Sequence, residues 1–305
     1  GCNLEKSMES EIMAIPVSIT IERFDQKFHL SNPEMIFDLK NKYPFLFPQK
    51  FSDSVWFKRQ KDSLQLMLLD AVESSFPDMN PIENELEYLF KHIKFYFPKT
   101  KIPRIIGLIN NVDYQTKTIY VDSLLLISLD TYFGSDHPLY AGIPSYIRQD
   151  MDIQYLSSHI VDKYVEYLLE PSADRTLLSQ MIYQGKKIYV KDIMLPSKRD
   201  ALKMCYSDEQ IQWVNDNEVY IWQYFIEKQI LFSTSPSLVK RFIEPAPFSK
   251  FYLEIDNESP GRIGVWLGWQ IIKSYMNRYP KTDINTLLNL PPQTIFSKSN
   301  YKPRK

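Results

Sequence analysis

At 305 residues, 44% hydrophobic and 24% charged, the chain has the composition of a folded protein, long enough for one large domain or two small ones. A formal net charge of −1 removes any broad electrostatic case for nucleic acid, so no nucleic-acid partner is expected. No stretch approaches the run of roughly 20 apolar residues that a membrane-spanning helix needs.

The chain opens Gly1-Cys2-Asn3, which has the form of the end of a lipoprotein signal, where a small residue precedes the cysteine that is lipidated. The expectation is a removed signal peptide and a lipid anchor at Cys2 that holds the protein to a membrane with its body in water. The alternative is an incidental cysteine near a terminus. Residues 3–13 are polar and read as a short tether, so the division expected is a lipidated tether over 1–13 and one folded domain over 14–305. Ile15, Val17, Ile19 and Ile21 then alternate with Pro16, Ser18, Thr20 and Glu22, the period of a half-buried strand. Ser31 or Asn32 caps a short helix beginning at Pro33. Asp53 or Ser54 can cap a long helix through Phe76, and a second runs from Pro81 to Tyr96. Residues 104–109, 118–121 and 124–129 read as strands of a small sheet.

Beyond Tyr132 the pattern is nearly all helical, with helices expected near 153–169, 174–192, 197–204, 207–231, 236–243, 261–279 and 283–290. Phe251 to Ile255 reads as a lone short strand, and Pro291-Pro292 with the basic tail as solvated surface. Three of the eight glycines, at 261, 264 and 268, fall in Ser259-Pro260-Gly261-Arg262-Ile263-Gly264-Val265-Trp266-Leu267-Gly268-Trp269. Ser259 as N-cap and Pro260 at the first helical position would start a helix that Pro280 stops. Its glycine face allows another backbone close approach; alternatively its open N-terminus, with Arg262, lines a cleft or anion site. The fold class that follows is α+β, mostly helical with a small sheet, in a single domain.

Chemistry-bearing motifs are absent. The histidines, His29, His92, His137 and His159, form neither a His-Glu-x-x-His pattern nor, with the two cysteines, any metal-ligand spacing, and Cys205 reads as a half-buried free thiol. No metal and no cofactor is expected. One candidate is His159 in Ser157-Ser158-His159-Ile160-Val161-Asp162-Lys163, on a helix shortly after the small sheet, where a single-helix zinc peptidase carries its metal motif. Ile160 occupies the place of the general-base carboxylate, and Lys163 that of the second ligand. His159 with Asp162 could hold a metal weakly; a surface or core histidine is the plainer alternative. A second candidate is Glu218, one turn from Trp222 and among apolar residues, the surroundings in which an acid catalyst works. The alternative there is a buried glutamate paired with a cation such as Arg262.

Several stretches taken in order carry a resemblance. They are Lys42-Tyr43-Pro44-Phe45-Leu46-Phe47-Pro48, Asp130-Thr131-Tyr132-Phe133-Gly134, Asp136-His137-Pro138-Leu139-Tyr140, Gly185-Lys186-Lys187-Ile188-Tyr189, Asn217-Glu218 with Ile221-Trp222, Leu231-Phe232-Ser233-Thr234, and Ser259 to Gly264. Together they resemble the GldB-type gliding-motility lipoproteins over nearly the whole chain. That family is similar to a set of zinc peptidases, so the resemblance implies a zincin-peptidase-like scaffold. It also implies an envelope role in gliding motility and linked secretion, with envelope proteins as partners. The departure at Ile160 and Lys163 implies a non-catalytic pseudo-peptidase, with a candidate cleft formed by His159, Asp162, Glu218, Trp222, Arg262 and Trp266. The alternatives are a divergent metal-dependent hydrolase and a peptide-binding protein.

Overall fold

The computed structural model describes residues 2–304, with the side chains of Cys2 and Asn3 outside the description. The expected lipidation at the Cys2 side chain therefore lies outside the described residues. The chain is α+β and mostly helical with one four-stranded sheet, as its patterning predicts. Its backbone groups into two compact units, Gly1–Lys94 with Lys99–Phe133, and Phe95–Pro98 with Gly134–Lys305.

The first unit begins with α1 (Cys2–Met13), so the polar stretch read as a tether is helical, with Ile12 buried. Of the alternating residues that follow, only Ile21–Arg23 join the sheet, as β1. The alternation itself is real: Ile15, Val17, Ile19 and Ile21 are the less exposed residues and their neighbours Pro16, Ser18 and Thr20 the exposed ones. Short α2 (Phe24–Leu30) leads to α3 (Pro33–Lys42), where the Asn32 side chain accepts from the Met35 N–H at 2.9 Å, an N-cap with proline in the first turn.

The long helix expected to Phe76 is two helices, α4 (Asp53–Gln60) and α5 (Ser63–Ser75). Asp62 causes the break. Its extended backbone lets the side chain cap α5 by accepting from the Gln65 N–H at 3.0 Å, which no mid-helix aspartate could do. Helix α6 (Asn80–Tyr96) follows, burying Ile82, Leu86, Leu89, Phe90 and Ile93 along one face.

The sheet is ordered β1-β2-β4-β3, with β2 at Arg104–Leu108, β3 at Thr118–Val121 and β4 at Leu124–Ser128. β1–β2 and β2–β4 are parallel, with Ile21 opposite Ile105 and Arg104 opposite Leu124; β3–β4 is an antiparallel hairpin. Tyr43, Phe47 and Trp56 pack with Phe28, Ile36, Leu39 and Ile106 into an aromatic core. Just after β4, Asp130 is fully buried and accepts from the backbone N–H groups of Asn110 and Val112, at 3.2 and 2.7 Å. It pins a loop in which Asn111 and Val112 both take positive φ.

The second unit is helical throughout: α7 (Ser145–Arg148), α8 (Leu156–Leu168), α9 (Leu177–Met194), α10 (Asp200–Met204), α11 (Asp208–Asp216), α12 (Glu218–Glu227), α13 (Pro236–Phe242), α14 (Ile263–Arg278), α15 (Ile284–Asn289) and α16 (Pro292–Ser299). The helix expected over 207–231 is broken at Asn217, whose side chain turns back onto the Trp213 carbonyl at 2.8 Å. Residues 251–255 are not a strand. Asp256 gathers the N–H groups of Phe251, Tyr252 and Leu253, which commits this stretch to a 3₁₀ turn over Glu254–Glu258. The Pro291-Pro292 stretch, read as surface, starts α16, with proline in its first turn.

Helix α14 begins at Ile263 rather than at Pro260, because Arg262 takes the left-handed conformation (φ 57°). Its glycines serve close packing. A Cβ on Gly268 would fall on the Met181 carbonyl of α9, and one on Gly185 of α9 would fall on the Gly268 carbonyl carbon. The two helices thus cross backbone on backbone, and this crossing centres the second unit's core, with Trp266 and Trp269 fully buried beside it.

Candidate functional site

The first two turns of α8 are almost wholly buried, and His159 is among the buried residues. Ser158 ties this segment to α10 by donating to the Leu202 carbonyl at 2.7 Å. Upstream, Asp152 caps a 3₁₀ turn over Ile153–Tyr155 by accepting from the Gln154 N–H, which fixes the short segment carrying Asp150. Asp150 Oδ2 stands 2.9 Å from His159 Nε2.

The third member of the cluster is Cys205, just past α10. It ends the helix in the left-handed conformation (φ 53°), and the Tyr206 N–H reaches back to the Ala201 carbonyl at 2.9 Å. Glycine suits that position; an L-residue there costs about 1 kcal/mol. Carboxylate oxygen, imidazole nitrogen and thiol sulfur all lie within 4.8 Å of one another. Burial alone would pull the His159 pKa down, but the Asp150 carboxylate and the Cys205 thiol together outweigh it and raise it to about 9.

Cys205 also lines a small cavity of about 30 Å3 with Tyr146, Gln149, Tyr206, Gln210 and Arg262. Gln149 holds this wall by donating to the Cys205 carbonyl and to Gln210 Oε1, at 3.1 and 2.7 Å. Gln210 in turn completes the capping box of α11 with Ser207. Arg262 donates to the Met204 carbonyl and lies over the Tyr206 ring, its charge 5.3 Å from the centroid. Among the described residues it makes no pair with Glu218.

Glu218 opens α12 and accepts from Tyr301 Oη at 2.7 Å; burial and this carboxylate push the Tyr301 hydroxyl pKa well up. Trp222 packs edge-on against the same tyrosine, centroids 4.9 Å apart. Glu218 and Trp266 line a second, polar cavity of about 360 Å3 with Trp269, Gln270, Lys273 and Arg304. Asp162 belongs to neither cavity. It takes the Lys191 ammonium at 2.8 Å, and one turn on Glu166 takes Lys187 at 2.7 Å and Lys163 at 2.9 Å. Burial alone would raise the Asp162 pKa, but Lys191 and Lys187 overcome it and hold the carboxyl below its usual range.

The six cleft residues expected from sequence thus divide among three places: His159 and Arg262 near Cys205, Glu218 with Trp222 on Tyr301 and with Trp266 on the polar cavity, and Asp162 in a two-rung ladder between α8 and α9. Cys205 and Tyr301 escaped the sequence reading because their partners lie far along the chain, and Asp150, nine positions before His159, because it sits in a turn outside the helical spacing of α8. The ladder did carry a signal, acids at 162 and 166 and lysines at 187 and 191, each pair four apart on one helix face.

No curated protein and no solved structure matches the chain. The family model described as gliding motility protein GldB matches residues 5–303. Among the described residues no helix is long and apolar enough to cross a membrane. With a match over nearly its whole length, the chain belongs to the gliding motility protein GldB family, whose name marks a lipoprotein group.

Proposed function

We propose that the protein is an envelope lipoprotein, anchored through Cys2, that serves gliding-motility and secretion machinery by binding a protein partner rather than by hydrolysis. The supporting observation is α8 itself. In a single-helix zinc peptidase, the residue after the first histidine is the general base and the residue four beyond that histidine is a ligand. Here those places hold Ile160, which is fully buried, and Lys163, which is ion-paired to Glu166. A buried aliphatic side chain cannot relay a proton, and a protonated lysine cannot ligate.

The test is to offer the purified full chain a mixed peptide library in zinc-containing buffer and read the products by mass spectrometry. An unchanged library is the expected result. Cleavage that disappears in Glu218→Gln or His159→Gln would overturn the reading and favour the divergent hydrolase. In cells, Cys2→Ala should move the protein out of the membrane fraction, and continued tight membrane association would contradict the anchor. Cross-linking in intact envelopes should then recover a defined protein partner; recovery of none would count against an assembly role.

A further inference from the structure

We propose that Asp150, His159 and Cys205 form a binding site for a borderline-soft divalent cation, zinc by its chemistry. The three donors come from three elements: the segment before α8, α8 itself and the end of α10. The site is therefore a clip across the second unit and not a motif on one helix. Tetrahedral zinc with Zn–N and Zn–O bonds of about 2.0–2.2 Å and Zn–S of about 2.3 Å sets its ligand atoms roughly 3.3–3.7 Å apart. The three atoms lie within 4.8 Å of one another, so closing on an ion needs side-chain torsions of about 1 Å and no backbone movement.

The donor set selects the metal. Magnesium and calcium take oxygen ligands almost exclusively, whereas one thiolate, one imidazole and one carboxylate suit zinc and its neighbours in the first transition row. Burial makes the site selective as well, since His159 and Cys205 are each less than a tenth exposed. Cys205 also occupies a left-handed helix-end position that favours glycine, which fixes the backbone from which its side chain starts.

This inference does not rest on the non-catalytic reading of α8. A metal held here has no carboxylate at position 160 to serve it as base, so zinc binding and an inert peptide library can both hold, and each can fail alone.

The experiment uses the full chain with Cys2→Ser, which leaves Cys205 as the one thiol, purified without chelator or histidine tag. Elemental analysis should find one zinc per chain. Replacement by cobalt should give the near-ultraviolet charge-transfer band of a thiolate ligand and the visible bands of a four-coordinate site. Zinc should also protect Cys205 from a thiol-reactive reagent, a readout that needs no variant at the site. Asp150→Asn, at the more exposed edge of the cluster, keeps the side-chain shape and should weaken zinc retention at least tenfold; Cys205→Ser should abolish the thiolate band. Clearly substoichiometric metal after zinc loading and dialysis overturns the proposal. So does stoichiometric metal retained equally by both variants, or a thiol equally reactive with and without zinc.

Discussion

Asp130, fully buried in the first unit, and Asp162, three-quarters covered in the second, are both carboxylates drawn out of water, and they are held in opposite ways. Asp130 meets mainly backbone N–H donors from Asn110 and Val112. Burial dominates and lifts its pKa to about 6. Asp162 is also penalised by burial, yet Lys191 and Lys187 more than repay it and its pKa falls below the usual value. At Asp130 the backbone donors offset only part of the desolvation, whereas at Asp162 full opposite charges outweigh it. The second unit repeats the arrangement with Lys187 and Lys203, which are likewise buried against acids.

If the difference is real, cutting the ladder should be the most damaging of the changes that probe it. Lys191→Met strands Asp162 without its nearest charge and removes the donor to the Lys203 carbonyl. A loss of about 3–5 kcal/mol in denaturant unfolding is expected. Adding Asp162→Leu should recover much of it, because a packed apolar pair needs no desolvation; a double variant as weak as the single one would contradict the account.

Ile160→Glu should cost about as much, around 3 kcal/mol or more, since it puts a carboxylate at a fully buried site beside no cation of its own. The thermal midpoint of the purified variant checks this. A midpoint near that of the parent chain would mean that position 160 still has polar space, weakening the pseudo-peptidase reading.

Asp130 should show a smaller effect, legible in its pH dependence. A carboxyl whose folded pKa is raised contributes stability that is complete below about pH 3.8, its unfolded value, and is lost as pH climbs through about 6. Relative to Asp130→Asn, the parent chain should therefore lose about 2 kcal/mol between pH 4.5 and 7.5. Parallel stability curves for the two would remove the contrast with Asp162.

Lys186 sharpens the same point with a cation. It donates to the carbonyls of Leu288 and Leu290 at 2.8 and 2.9 Å, without an acid, and burial lowers its pKa to about 8. A depressed folded value means stability that is complete above the unfolded value and is lost as pH falls through about 8. Compared with Lys186→Met, the parent should gain stability from pH 7.5 to 10, by about 1 kcal/mol after allowance for partial solvent screening.

What could be read in advance follows the range of the forces involved. Short-range rules found most elements: the sheet strands near 104–108, 118–121 and 124–128, the Asn32 cap before Pro33, and the glycine face of α14, which indeed meets another backbone. They failed where a side chain chose between two local partners, as at Asp62, Asn217 and Asp256, each of which ended or diverted an element by bonding to backbone. The site was less legible than the fold because its contacts are distant in sequence. His159 stood out by itself, but Cys205, 46 positions on, gave no sign of joining it. Glu218 was expected either as an acid catalyst or paired with a cation such as Arg262; it accepts instead from the Tyr301 hydroxyl in the tail.

The smallest expected effect is the most informative about function. Lys163 is 42% exposed and shares Glu166 with the better buried Lys187, so Glu166 stays paired without it. Lys163→His should change stability by no more than about 0.5 kcal/mol in thermal or denaturant unfolding. The fold thus leaves position 163 open to the histidine that a peptidase would need, while closing position 160 to the glutamate. A chain whose metal helix had merely drifted would be expected to tolerate reversal at both places. On the pseudo-peptidase reading proposed above, the asymmetry is what hydrophobic packing at the base position would produce, and the Ile160→Glu and Lys163→His melts measured side by side test that directly. Equal tolerance at both would show that the scaffold still has room for the full motif.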